Sequence, residues 1–366
     1  MLKRARPEVD IHDVEPSADH PSDRVGAAVT DPAPTVGTPV VTVLLLTYNQ
    51  RPYVERALAG ILEQRLDVPL RVVVHDDAST DGTQDAVRAA AERHPGRLEL
   101  ILQTENQLSR GISITARLLL DVDSEFVALC EGDDFWTDPD KLQQQVDFLR
   151  ANPWCSVCHH DFSIVSDGGR ADYEAGLRRY LDSLSWRTSP RVEGRRLALG
   201  NFVRTCTAMI RRSSLRDELL RAAHDVRPGD HMLFCAAAEH GDVGFINRDM
   251  ACYRLHDGGS WSMLDPAQRE ERQLGVYWFL AGQLRGPMQH AVQEVLLHLL
   301  ATSATQRQRY QALRELTGQI AQLAQAGSQT ADALEATLAR SAALQERLSA
   351  VTAERDLLAS VTGHTG

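Results

Sequence analysis

The stretch Phe126-Val127-Ala128-Leu129-Cys130-Glu131-Gly132-Asp133-Asp134-Phe135-Trp136 joins a short apolar run to two adjacent carboxylates. Such a run fits a strand buried on both faces, a setting that disfavours Asp. Carboxylates placed where a strand meets its loop need water or a cation. In open α/β sheets ligands gather at that edge. A second reading makes the acids a turn capping a helix that begins near Pro139, with Asp138 as N-cap.

The chain upstream repeats this design. Val40 to Thr47 is a β-branched and leucine run, and a helix from about Pro52 to Gln64 carries Val54, Leu58, Ile61 and Leu62 on one side. Leu70 to Val74 reads as a second strand, Gln84 to His94 as a helix, Leu98 to Leu102 as a third strand and Ile112 to Leu120 as a helix. Alternation of this kind predicts a parallel sheet covered by helices, with functional groups at the strands' C-terminal edge. The pair Asp76-Asp77 falls at that edge after the second strand. No G-x-G-x-x-G or Walker loop is present. The first strand ends instead in Thr47-Tyr48-Asn49-Gln50, which suits stacking and edge recognition of a base better than wrapping a phosphate.

The chain has 366 residues, 43% of them hydrophobic, enough for one large domain or two ordinary ones. Net charge is −11 and the basic residues are scattered, which argues against nucleic acid as a partner. No apolar stretch follows Lys3 and Arg4, and no apolar run is long enough to cross a bilayer. A cytoplasmic protein with reduced cysteines is expected, with peripheral attachment to the inner face of a membrane left open. Cys155-Ser156-Val157-Cys158-His159 matches a haem-attachment pattern and half of a zinc site, but its alternation is that of an ordinary strand.

Residues 1–39 hold six of the fifteen prolines with almost no aliphatic periodicity, as a disordered tail does. Asp167 to Arg195 reads as a charged, flexible stretch. Order resumes over Leu197 to Ile210, with helices near Ser213 to Ala223 and His231 to Glu239. From Trp261 the chain turns helical, and after Tyr310 it has no aromatic residue. Leu313, Leu316, Ile320 and Leu323, then Leu344, Leu348, Val351 and Leu358, are spaced as in a short coiled coil for self-association or a partner helix through 306–360. A solvated helix packed on its own domain is the other reading.

Val41 to Asn49, Asp76 to Thr83, Glu131 to Trp136 and Tyr253-Arg254-Leu255-His256 together resemble, in order and spacing, the inverting family 2 of nucleotide-sugar glycosyltransferases. The likeness covers about Val40 to Trp261. It implies the α/β A-type glycosyltransferase fold: a single domain at 40–262 with a mostly parallel central sheet flanked by helices, a helical extension at 263–305 and a long coiled-coil-like segment at 306–366.

The resemblance also implies roles. Tyr48 would stack on the base beside Thr47 and Asn49. Asp77 would accept from the base edge, uracil being favoured because it offers an N–H, and Asp76 would support the pocket or cap the Ser79 to Gly82 turn. Asp133 and Asp134 match the family's acidic motif for Mn²⁺ or Mg²⁺, Asp133 reaching the ribose as well; Glu131 departs from the Asp common there. Asp230 matches the general base for the acceptor hydroxyl, or N-caps its helix. His256 would complete the metal shell, with Arg254 near the diphosphate and Arg110 a further diphosphate contact. Asp257 to Trp261 would be a mobile loop over the donor. Thr205, within Asn201 to Met209, and Trp136 would border acceptor or sugar.

Two other classes compete. A sugar-phosphate nucleotidyltransferase needs a glycine-rich loop after the first strand, and Thr47 to Tyr53 has no glycine. A non-catalytic scaffold acting through its C-terminal helices would have no need of the acidic set.

Overall fold

The structure, a computed structural model, describes residues 28–29, 38–167, 171–223, 229–259, 261 and 264–302. Its first half runs β1 (Ala28–Val29), β2 (Val41–Thr47), α1 (Val54–Leu62), β3 (Leu70–Asp76), α2 (Thr83–Arg93), β4 (Glu99–Leu102), α3 (Ile114–Leu120) and β5 (Phe126–Glu131). Next come β6 (Phe135–Trp136), α4 (Lys141–Ala151), β7 (Cys155–Asp167), α5 (Ala171–Ser183), β8 (Arg191–Val192) and β9 (Met209–Arg211). The last are α6 (Asp217–Ala222), α7 (Asp230–Ala237), β10 (Asp242–His256) and α8 (Pro266–Gln283). One compact unit ends at Gln293; the second, from Glu294, is helical as far as 302. Among the described residues no helix is long and apolar enough to cross a membrane.

The strands form one mixed sheet in the order β1-β4-β3-β2-β5-β9-β7-β10-β6, with β8 on β10. The pairs β4/β3, β3/β2, β2/β5 and β7/β10 are parallel. β9 is antiparallel to both β5 and β7, so β7 and β10 run in the same sense as β2, β3 and β5. Their C-terminal ends, Thr47, Asp76, Glu131, Asp167 and His256, therefore meet at one edge.

Helices cover the sheet because their apolar faces match its buried strands. Val54, Leu58 and Ile61 of α1 are buried, each worth about 1.5–3 kcal/mol relative to exposure. α1 lies so close to β6 that a Cβ on Gly60 would come within 2.7 Å of the Trp136 carbonyl oxygen. The Cys155-x-x-Cys158-His159 motif lies in β7, as its alternation predicts, with His159 buried between the rings of Phe202 and Phe245.

Several expectations are corrected. The stretch beyond Asp167 is structured: α5 forms because Leu177 and Leu181, one turn apart, are buried on one face. α4 begins at Lys141, and Asp138, rather than N-capping it, accepts from the Asp140 N–H and pairs with Arg248. α7 starts at Asp230 itself, with Gly229 as N-cap. Within the segment expected to be a disordered tail, Ala28 and Val29 pair antiparallel with β4, while the remainder of residues 1–37 and the coiled-coil segment from 306 lie outside the described residues.

Candidate active site

The shared edge lets the loop after β2 and the loop after β3 lace together. Asn49, in the left-handed region at φ 52°, receives the Ser79 Oγ as acceptor of its N–H at 2.8 Å and accepts from the Thr80 N–H through Oδ1 at 2.9 Å. Asp76, fully buried, accepts from Thr47 Oγ1, Ser79 N, Ser79 Oγ and Gln84 Nε2 at 2.6–2.8 Å. It supports the pocket and caps the turn at once. Tyr48 is 48% exposed at the mouth of this loop, the geometry a stacking platform needs.

Asp77 is buried more deeply than a base contact requires. Its Oδ1 accepts from Gln107 N at 2.6 Å and its Oδ2 from Leu108 N at 3.1 Å, so it caps the turn at 106–110 while each oxygen keeps a second lone pair. Burial pushes its carboxyl up, against the pull of these two bonds. Arg110 sits on that turn in an exposed ion pair with Glu105 at 3.0 Å.

Glu131, Asp133 and Asp134 bring one carboxylate oxygen each within 4.8 Å of one another. Asp134 Oδ1 accepts from the Arg254 N–H at 2.8 Å, and Asp133 Oδ2 faces His256 Nε2 at 2.9 Å. The other oxygens, Asp133 Oδ1 and Asp134 Oδ2, are buried without a hydrogen-bond partner. Burial first, then mutual repulsion, holds the carboxyls of Glu131 and Asp134 well above the usual range. Two buried orphan carboxylate oxygens beside a third acid form a hard-oxygen donor set that fits Mn²⁺ or Mg²⁺.

The structure reassigns two neighbours. His256 Nδ1 accepts from the Gly258 N–H at 3.1 Å, so the neutral ring carries its proton on Nε2 and donates to Asp133. In this conformation it orients the Asp133 carboxylate and has no free ring lone pair. Arg254 is spent on the protein: it donates to the Asp133 carbonyl, pairs with Asp167 and lies 4.6 Å above the Tyr53 ring. Tyr53 in turn tilts against His256 at 4.9 Å.

Asp230 is held by three donors. Asn201 Nδ2 donates to Oδ1 and Thr205 Oγ1 to Oδ2, each at 3.0 Å, and the His231 N–H donates to Oδ1 at 2.8 Å. Its charge registers at Glu131, which links it to the acidic cluster. Thr205 therefore reaches the Asp230 carboxylate itself. Trp136, expected at sugar or core, lies in the core: it is 4% exposed, donates from Nε1 to the Cys206 carbonyl at 2.9 Å and lies under the buried Lys141 ammonium at 3.9 Å. Trp261 is 40% exposed beyond β10.

Three residues within stretches singled out from the sequence had been given no role of their own. Gly132 lets the acidic loop close on the base-side loop: a Cβ there would come within 2.6 Å of Gln50 Oε1 and 2.7 Å of Thr47 Cγ2. Asn201 and Arg204 were visible only as polar residues in an apolar run. Arg204 donates from Nη2 to the Asn201 carbonyl at 2.6 Å. Burial works against its charge, but Tyr253 and Asp230 favour it and the net displacement is upward.

A mixed sheet with base-side loops, paired acids and a clamped carboxylate on one edge is the A-type glycosyltransferase fold. The family model for glycosyl transferase family 2 matches residues 42–219, so Asp230 and the end of β10 lie beyond the matched span. An uncharacterized protein of Mycobacterium tuberculosis, Rv1520, is 34% identical over 222 residues, which are 60% of each chain. An uncharacterized glycosyltransferase of Nostoc sp., alr2836, is 25% identical over 63% of this chain and 69% of its own. Residues 1–349 of TarS from S. aureus, crystallised with UDP-GlcNAc, share the fold at 19% identity and a TM-score of 0.52, over 71% of each chain.

Proposed function

We propose that this chain is an inverting, metal-dependent glycosyltransferase that moves a sugar from a nucleoside diphosphate donor to an acceptor hydroxyl in glycan, cell-wall or glycosylated-metabolite synthesis. The observation that carries the reading is the pairing, on one sheet edge, of the two orphaned oxygens of Asp133 and Asp134 with a carboxylate, Asp230, oriented by Asn201 and Thr205. Tyr48 offers a face to the base, and the uracil N–H suits the free lone pairs of Asp77. Asp230 removes the proton of the attacking hydroxyl as it displaces the diphosphate in one step, which inverts the anomeric centre. A cation held by Glu131, Asp133 and Asp134 would supply Lewis-acid stabilisation of the leaving diphosphate. His256 keeps Asp133 turned toward that position. Trp261 is placed near the donor and Arg110 near the diphosphate by family likeness.

Binding of a UDP- and GDP-sugar panel by calorimetry with Mn²⁺ tests the reading. Asp134→Ala is expected to abolish metal-dependent donor binding. Asp230→Asn should keep donor binding and lower turnover on the order of 10²–10⁴-fold. Absence of any bound donor, or an Asp134→Ala protein indistinguishable from wild type, would sink the reading.

A further inference from the structure

Arg204 is a guanidinium of this edge with no carboxylate at ion-pair distance among the described residues. It donates to a carbonyl, that of Asn201, and its Nε is buried with no hydrogen-bond partner. Other buried arginines of the chain are differently served. Arg254 pairs with Asp167, Arg216 with Glu239 and Arg212 with Asp217. Among the described residues no carboxylate comes within ion-pair distance of Arg204, and a guanidinium cannot escape its charge by losing a proton. The Asp230 carboxylate favours this charge without reaching ion-pair distance, so an anion arriving at the unpartnered Nε would complete it.

Its surroundings say which side of the reaction that anion comes from. Arg204 sits within the segment whose residues Asn201 and Thr205 grip Asp230, and it is tied to that segment by the Asn201 carbonyl. The ring of Tyr253 is 5.9 Å from the guanidinium carbon, and Asp230, then Tyr173 and Tyr180 of α5, act on its charge. Phenols and a planar fork of N–H donors together suit an oxyanion carried on a sugar-like frame. The donor's diphosphate has the acidic cluster and its cation instead.

We propose that Arg204 binds an anionic group, a carboxylate or a phosphate, on the acceptor next to the hydroxyl that Asp230 deprotonates. The acceptor class is then an acidic glycan or phosphorylated polyol in preference to a neutral sugar. This rests on the glycosyl-transfer reading above.

The test measures, on the full chain with Mn²⁺ and with UDP and GDP in turn, the binding of glucuronate, glycerol 3-phosphate and neutral glucose by saturation-transfer NMR and calorimetry. The two anions are expected to bind at least about ten-fold more tightly than glucose, and Arg204→Gln should reduce them to the level of glucose while nucleotide affinity stays unchanged. Arg204→Lys should keep part of the preference. Equal binding of anions and glucose to wild type overturns the proposal without any variant, even if Arg204→Gln fails to fold. Loss of nucleotide binding in Arg204→Gln also overturns it, because the anion is then the donor's diphosphate. Failure of wild type to bind either nucleotide while the anion preference stands removes the glycosyl-transfer reading alone.

Discussion

Gly132 shows how one missing methyl group shapes the site. It separates the two ends of the acidic motif and lets Thr47 and Gln50 of the opposite loop pack against the backbone. Thr47 is β-branched and bound to Asp76, so it cannot yield easily. Gly132→Ala is expected to weaken nucleotide binding about ten-fold, in line with an overpacking cost of roughly 1–3 kcal/mol, with the fold intact by circular dichroism. Unchanged nucleotide affinity would show that the two loops move apart freely. At this scale the acids were legible because carboxylates are out of place at the end of an apolar run. The partners of His256 and Arg254 were not, since the Asp133–His256 bond joins residues 123 positions apart.

At the scale of elements, the short helical turn Thr205–Thr207 and the start of α7 make one device. The turn projects Thr205 at the carboxylate on the first residue of the helix, and Asn201 closes the other side. A hydrogen bond to a charged group is worth about 1.5–3 kcal/mol. Thr205→Val should therefore lower kcat about ten- to a hundred-fold with the donor KM unchanged, and Thr205→Ser should restore most of it. A Thr205→Val enzyme with wild-type kcat would show that Asn201 alone positions the base. The alternation of strands and helices through β5 was legible from periodicity, with boundaries displaced by one or two residues. α5 was missed because charges mask its narrow buried face, and β9 because only three residues long and antiparallel, it carries no periodic signal of its own.

For the whole molecule, the buried histidines predict how stability follows pH. Burial lowers His75 to about 4; burial, then Arg187 and Arg204, lower His159 to about 3. Both are neutral in the fold and take up protons when unfolded below about pH 6.5, so their contribution is full above that pH and falls as pH drops toward 4. Each accounts for about 3 kcal/mol by pH 4. The melting temperature should fall between pH 7 and pH 5, and His159→Leu should flatten that slope; parallel profiles of variant and wild type would contradict the assignment. By itself the sequence determined the elements of the first half, the likeness to the family and the placement of the acids at strand ends, because burial period and local charge are properties of neighbouring residues. Only the tertiary structure decided that Trp136 is core, that Asp77 caps the turn at 106–110, that Thr205 grips Asp230 and that Arg204 has no carboxylate at ion-pair distance among the described residues. The Asp77 contact depends on β4 lying beside β3, and the others on β9, β7 and β10 folding back beside β5, pairings of distant strands that no local pattern encodes.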